Sequence, residues 1–244
     1  GLDGLRSPLQ DLDLGNSGTG ARLLLGVLAG SQAKATVVGD ISLQSRPMLR
    51  VCDPLCEMGA RLEHLGEEGR IPILVDHSGP LRPIDWISPV PSAQVKSSIL
   101  LAGLVGGAEV VVTEPRQSRD HTERLFSEIG APISIRNISS GHQVGLSNPP
   151  DILAPLDFSI PGDVSSAAFI IAFAALGGVG ISVTIDNVSL NPTRTGFLDV
   201  FSRMGIDLTI EETGLGNTCE PRGLITTSPS DLCSIELDAE EIPG

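Results

Sequence analysis

The chain has 244 residues with 41% apolar side chains, enough for one large domain or two modest ones around a real core, which excludes a disordered or fibrous polypeptide. Thirty acidic residues against sixteen basic ones set the net charge at −14, and with one Trp, no Tyr and six Phe this argues against nucleic acid or an anionic membrane as partner. The longest apolar stretches, 99–105 and 167–176, fall short of the ~20 residues that cross a bilayer, and no export signal is evident, so a cytoplasmic protein is expected.

In chain order, the first segment reads strand, helix, strand, helix, strand, strand. It opens on Leu12-Asp13-Leu14 and the small-residue turn Gly15-Asn16-Ser17-Gly18-Thr19. A helix follows over 17–29, then a strand over 35–39, a helix over 47–58 and strands over 61–65 and 71–75. The first helix is apolar around most of its circumference (Leu23, Leu24, Leu25, Val27, Leu28) and has to be buried on several sides. Polar linkers at 76–82 and 147–154 then separate this segment from two similar ones.

The similarity is a repeat. Gly59, Gly130 and Gly205 each close a helical pattern (Glu57-Met58-Gly59, Glu128-Ile129-Gly130, Arg203-Met204-Gly205) just before a strand, 71 and 75 residues apart. Glycine there suits the left-handed position after a helix. Asp13, Asp85 and Asp157 mark three opening strands, each 72 residues from the last, so the chain is expected to hold three βαβαββ repeats with helices inside and sheets outside.

The cationic residues are mostly arginine, since Lys34 and Lys96 are the only lysines. Arg22, Arg46, Arg116, Arg119 and Arg194 lie in or beside segments rich in Gly, Ser, Thr, Asn or Pro. Arginine beside helix N-termini grips phosphate or carboxylate, because free backbone N–H groups and the helix dipole favour an anion and the guanidinium adds a bidentate fork. Gly15 to Gly20 and Ser92-Ala93-Gln94 each read equally as an anion cradle or as a well-capped helix start, and Arg119-Asp120-His121-Thr122-Glu123 equally as a solvated helix start. In Ser45-Arg46-Pro47-Met48 the proline is expected at the first helical position, aiming Arg46 at a helix N-terminus. Cys52, Cys56, Cys219 and Cys233 match no zinc or redox spacing and read as reduced and structural, while His64, His77, His121 and His142 fit neither a metal site nor a nucleophile triad.

Taken in order, Gly15-Asn16-Ser17-Gly18-Thr19, Ser45-Arg46-Pro47-Met48, Ser92-Ala93-Gln94-Val95-Lys96-Ser97, Glu114-Pro115 with Arg119 to Glu123, Pro161-Gly162-Asp163 with Ser165-Ser166-Ala167, and Asn191 to Gly196 resemble the 5-enolpyruvylshikimate-3-phosphate synthase family along essentially the whole chain. The resemblance implies an α/β inside-out barrel fold of βαβαββ repeats. It divides the chain into 1–160, the second and third repeats of one lobe, and 161–244, the first repeat of the other. It implies transfer of the enolpyruvyl (carboxyvinyl) group of phosphoenolpyruvate to the 5-hydroxyl of shikimate 3-phosphate through a tetrahedral intermediate, in aromatic amino acid and chorismate biosynthesis, with no metal or organic cofactor. Carried over residue by residue, Ser92, Ala93, Gln94 and Arg119 match the shikimate 3-phosphate site. Asn16, Ser17, Gly18, Thr19 and Arg46 match the phosphoenolpyruvate site, with Gln94 close to both.

At the Gly18 position the resemblance associates alanine with tolerance of the competing herbicide glyphosate, so Gly18 implies sensitivity. Family members carry a further repeat before this segment and acidic, Arg, His and Lys residues after it. Little or no turnover is therefore expected of this chain alone, with no catalytic residue assigned within it and another chain a conceivable source of those parts. The alternatives are a non-catalytic half that binds phosphorylated acids, an interaction domain, and the sister transferase acting on a UDP-amino sugar, whose glycine-loop cysteine has no counterpart here.

Overall fold

A computed structural model describes residues 4–76, 79–150, 152–177, 180–214 and 219–237, so His77 and the final stretch from 238 lie outside the described residues. Three sheets succeed one another along the chain. The first repeat comprises β1 (Leu12–Asp13), α1 (Gly18–Gly30), β2 (Ala35–Val38), α2 (Ile41–Gln44), α3 (Leu49–Glu57), β3 (Arg61–His64) and β4 (Ile73–Asp76). The second comprises β5 (Ile84–Ile87), α4 (Ala93–Gly106), β6 (Val110–Glu114), α5 (His121–Glu128), β7 (Ile133–Ile138) and β8 (Gly141–Leu146). The third has α6 (Val164–Ala175), β9 (Val183–Ser189), α7 (Gly196–Arg203), β10 (Leu208–Gly214) and β11 (Arg222–Thr227).

The pairing is the same in each. β1 runs parallel to β2, and β4 lies antiparallel between β2 and β3. β5, β6, β8 and β7 repeat that order. In the third, β11 lies antiparallel between β9 and β10, and the opening strand shrinks to one parallel bridge, Gly162 to Val188. The opening strand expected at Leu156-Asp157-Phe158 is therefore not formed. The ladder is made instead by Gly162, whose N–H donates to the Asn187 carbonyl (2.7 Å) and whose carbonyl accepts from Ser189 N–H (2.9 Å).

The expected glycine punctuation is present in all three repeats. Gly59, Gly130 and Gly205 have φ of 102°, 78° and 89°, and the next residue's N–H reaches back over the helix end, Ala60 to Leu55, Ala131 to Phe126 and Ile206 to Phe201. This closes the last orphan carbonyls of each helix, and only glycine adopts that φ without strain. The helix expected over 47–58 begins two residues late. Asp40 caps α2, an unforeseen single turn, and Met48, fully buried, donates its N–H to the Gly69 carbonyl, so Pro47 lies outside α3.

The chain forms two compact units, each with its own core. The described residues up to Ser118, with Phe126–Ala154, make the first, and Arg119–Leu125 with those from Pro155 onward make the second, so the division falls inside α5. In the first unit the helices are innermost. A Cβ on Gly26 of α1 would lie 2.2 Å from the Ser98 carbonyl of α4, and one on Gly30 would lie 2.5 Å from that of Ala102, so two helix backbones meet with no side chain between them. The sheets are outermost, β7 being exposed along nearly its whole length. In the second unit α6 buries Val164, Ala167, Ile171, Ala174 and Ala175, while Phe169, Phe173 and Leu176 are exposed.

Candidate functional site

The N-termini of α1 and α4 carry the sharpest motifs, and each is capped by a serine. Ser17 Oγ accepts from Gly20 N–H (3.1 Å) and Ser92 Oγ from Val95 N–H (3.5 Å), which satisfies first-turn donors and aligns each helix dipole outward. Gly15, at φ 52°, makes the turn before α1 and is held by Asp13 Oδ1.

Gln94 ties the two helix ends together. Its Nε2 donates to Thr19 Oγ1 (2.7 Å), and its Oε1 accepts from Arg22 Nη1 (3.0 Å) and Arg50 Nη2 (3.2 Å). Arg22 is buried and also donates to the carbonyls of Pro47 (2.9 Å) and Gly18. Arg46 donates to Asn16 Oδ1, and Asn16 Nδ2 donates to Asp40 Oδ2 (3.0 Å). Burial, then the charges of Arg50 and Arg46, lower the pKa of Arg22, though a guanidinium stays charged at neutral pH. The N–H of Leu43 and the amide of Asn16 hold the Asp40 carboxyl below its ordinary range.

Asn16, Ser17, Gly18, Thr19, Arg46, Ser92, Ala93 and Gln94 thus lie in one unit, and Gln94 links the two motifs directly. Three guanidiniums gather there, close enough that Arg50 and Arg46 both lower the pKa of Arg22, and cations clustered in this way favour an anionic ligand. Sequence reasoning counted Arg22 among the anion-gripping arginines but assigned it to neither substrate, and it missed Arg50 and Asp40. For Arg22 the signal was its place four residues after Gly18, on the same face of α1, whereas Arg50, in α3, shares no helix with Arg46 and only the tertiary fold brings it to Gln94.

Arg119 belongs to the second unit, where burial and Arg194 lower its pKa and Asp163 opposes them. Asp163 caps α6 through the N–H groups of Ser165 and Ser166, and Arg194 donates to Asp163 Oδ1 (2.6 Å) and Ser165 Oγ (2.7 Å). Asn191, fully buried, donates to Asp120 Oδ1 (2.7 Å) and Glu220 Oε2 (2.9 Å) and accepts from Thr193. His121 Nδ1 lies 2.6 Å from Glu220 Oε1, beside a hollow of about 300 Å³ that Phe158, Ile160, Asp163 and Arg194 also line. Cys52 is buried in α3, which pushes its thiol up to about 12, so it is no nucleophile at neutral pH.

This carboxylate network predicts an acid sensitivity. Burial raises the Asp120 and Glu220 carboxyls, but hydrogen bonds from Arg124 and Asn191 to the first, and from His121 and Asn191 to the second, outweigh it, and both pKa values fall below the ordinary 3.8 and 4.5. Asp163 is likewise lowered, since the Ser165 N–H and Arg194 outweigh its burial. A depressed folded-state pKa contributes stability that is complete above the unfolded value and is lost as pH falls through the folded one. Protection of the second unit's amides, corrected for the intrinsic pH dependence of exchange, is expected to stay flat above about pH 5 and to fall below about pH 4, and Asn191→Leu should move that onset upward. A flat profile down to pH 2 would contradict it.

The EPSP synthase (3-phosphoshikimate 1-carboxyvinyltransferase) family model matches residues 3–232. The chain is 46% identical over 243 residues to a 3-phosphoshikimate 1-carboxyvinyltransferase of Geobacillus thermodenitrificans and to one of Bacillus licheniformis, covering 100% of itself but 54% and 55% of theirs. An EPSP synthase structure from Acinetobacter baumannii superposes with a TM-score of 0.81 at 37% identity, over 100% of this chain and 53% of that one. The chain thus spans about half the length of the curated relatives it matches. A family match over nearly every residue, together with three repeats of one topology, places the chain in the EPSP synthase family.

Proposed function

We propose that this chain supplies the phosphoenolpyruvate surface, and part of the shikimate 3-phosphate surface, of an enolpyruvyl transferase acting in the cytoplasm in aromatic amino acid and chorismate biosynthesis. The observation that carries the reading is Gln94 of the α4 motif, which donates to Thr19 of the α1 motif and accepts from Arg22 and Arg50, so that one amide lies beside both groups of residues. Asn16, Ser17, Gly18, Thr19 and Arg46 take phosphoenolpyruvate. Ser92, Ala93 and Gln94 take shikimate 3-phosphate, and residues 1–160 contribute to one lobe and 161–244 to the other.

Chemically, the 5-hydroxyl of shikimate 3-phosphate adds to C2 of phosphoenolpyruvate while C3 gains a proton. The tetrahedral adduct then loses a methyl proton and inorganic phosphate, which restores the double bond. Two phosphates and two carboxylates must sit side by side throughout. Fixed cations and helix N-termini offset that repulsion without reorganising as charge shifts. No helix among the described residues is long and apolar enough to cross a membrane.

Isothermal titration of the chain with each substrate tests the reading. Binding of phosphoenolpyruvate that strengthens in the presence of shikimate 3-phosphate supports it, and uptake of neither overturns it. Phosphate release from both substrates should be slow or absent for this half-length chain, and turnover matching a full-length relative would refute that part. Turnover with a UDP-amino sugar instead would favour the sister transferase.

Gly18 gives a sharper test. A Cβ there would lie 2.7 Å from Arg46 Nη1 and 3.0 Å from Arg22 Nη1, both ends of flexible side chains, so Gly18→Ala should fold normally and displace the guanidiniums. A hydrogen bond to a charged group is worth about 1.5–3 kcal/mol, so with the guanidiniums displaced phosphoenolpyruvate should bind about tenfold more weakly and glyphosate should compete poorly or not at all. Equal glyphosate affinity with glycine and with alanine would contradict this.

A further inference from the structure

Behind the first turn of α4 lies an ion pair with no place in the scheme above. Lys96 and Glu114 have side chains 0% and 1% exposed, with Nζ and Oε2 3.1 Å apart. Glu114 Oε1 accepts the N–H of Ser92 (2.6 Å), and its Oε2 accepts Ser118 Oγ (2.7 Å). Lys96 Nζ in turn donates to Ser118 Oγ (2.8 Å), which closes a three-membered ring that pins the end of β6 to the start of α4.

A carboxylate at that point is electrostatically awkward. The N-terminus of a helix favours negative charge, and Glu114 already occupies that field, opposing any anion brought to Ser92, Ala93 and Gln94. Buried, it is weakly screened by water or salt. Lys96, one turn into the same helix, supplies the compensating charge from inside.

We propose that the Lys96–Glu114 pair is a positioning and charge-setting device for the α4 phosphate site. Glu114 fixes the Ser92 backbone, and Lys96 cancels the repulsion Glu114 would otherwise exert on the phosphate. This rests on the assignment of Ser92, Ala93 and Gln94 to a phosphorylated substrate. A purely structural pair would give destabilised variants whose anion affinity does not follow the sign of the residual charge.

The experiment titrates four forms of the chain, unsubstituted, Lys96→Met, Glu114→Gln and the double variant, with shikimate 3-phosphate and separately with inorganic phosphate, alongside thermal melts. Net charges of the pair are then 0, −1, +1 and 0. Lys96→Met should weaken phosphate binding about tenfold, Glu114→Gln should tighten it by a similar factor, and the double variant should return to within about threefold of the unsubstituted chain. If Lys96→Met does not fold, the order of the other three still decides. Weaker binding by Glu114→Gln than by the double variant, or one affinity for all, overturns the proposal. Inorganic phosphate bound in the expected order without uptake of shikimate 3-phosphate would refute the substrate assignment and leave the pair's role standing. No binding of either anion would overturn both.

Discussion

Gly26→Val is expected to destroy the packing of the first unit. The nearest neighbour of an added Cβ is the Ser98 carbonyl at 2.2 Å, followed by Ser98 Oγ at 2.8 Å and the Ser98 carbonyl carbon at 2.9 Å, so the obstruction is largely backbone of α4 and no rotamer relieves it. Separating α1 from α4 would open the layer around Ala21, Leu25, Ile99 and Ala102, all fully buried, and part the two helix N-termini that Gln94 joins. A backbone clash in a close-packed core costs about 3 kcal/mol or more, a large share of the ~5–15 kcal/mol that holds a domain together. Melting followed by helical circular dichroism should fall by about 10 °C or more, or the protein should be insoluble. Gly196→Ala is the matched control, since nothing lies within 4 Å of the added Cβ and Gly196 is helical, so it should be neutral or slightly stabilising. A Gly26→Val protein that melts with the unsubstituted chain would show that the helices do not meet here.

Arg46→Ala should have the opposite signature, with little change in stability and a large loss of binding. Arg46 is half-buried, and its hydrogen bond is to the exposed Asn16. Surface contacts of this kind are worth about 1 kcal/mol or less. One unit charge about 5 Å from a bound phosphate, at an effective dielectric of about 20, is worth roughly 3 kcal/mol, or on the order of a hundredfold in affinity. Arg46→Lys should recover only part of it, because a point charge cannot reproduce the bidentate fork. Phosphoenolpyruvate titrations of the three proteins, beside melts, separate the two effects. Undiminished affinity in Arg46→Ala would remove Arg46 from the site.

The features visible in the sequence were those set by local backbone chemistry. Gly59, Gly130 and Gly205 could be read because a left-handed residue after a helix wants glycine wherever it occurs, and Ser17 and Ser92 because capping is equally local. The features that escaped notice depend on tertiary partners. α3 starts at Leu49 because Met48 N–H is taken by Gly69, twenty-one residues later, and no pattern near Pro47 encodes that. The third opening strand collapses onto Gly162 because Asn187 and Ser189 hold it there.

The site divides the same way. The α1 and α4 motifs were visible as helix starts and by family resemblance, and the Gln94 bridge between them spans seventy-five residues, a distance over which spacing is silent. Arg22 stood out in the sequence as an arginine near a helix start, but only the fold turns its guanidinium toward Pro47 and Gln94. Lys96 and Glu114 both stood in visible motifs, but their pairing joins a helix to a strand eighteen residues away, which spacing does not reveal.

The most direct measurement is backbone amide chemical shift during titration with phosphoenolpyruvate. Saturable shifts concentrated at Gly18, Thr19, Gly20 and the residues around Arg46 and Gln94, absent from Arg46→Ala, are the expected result. Saturable shifts centred elsewhere, with those amides unmoved, would contradict the account.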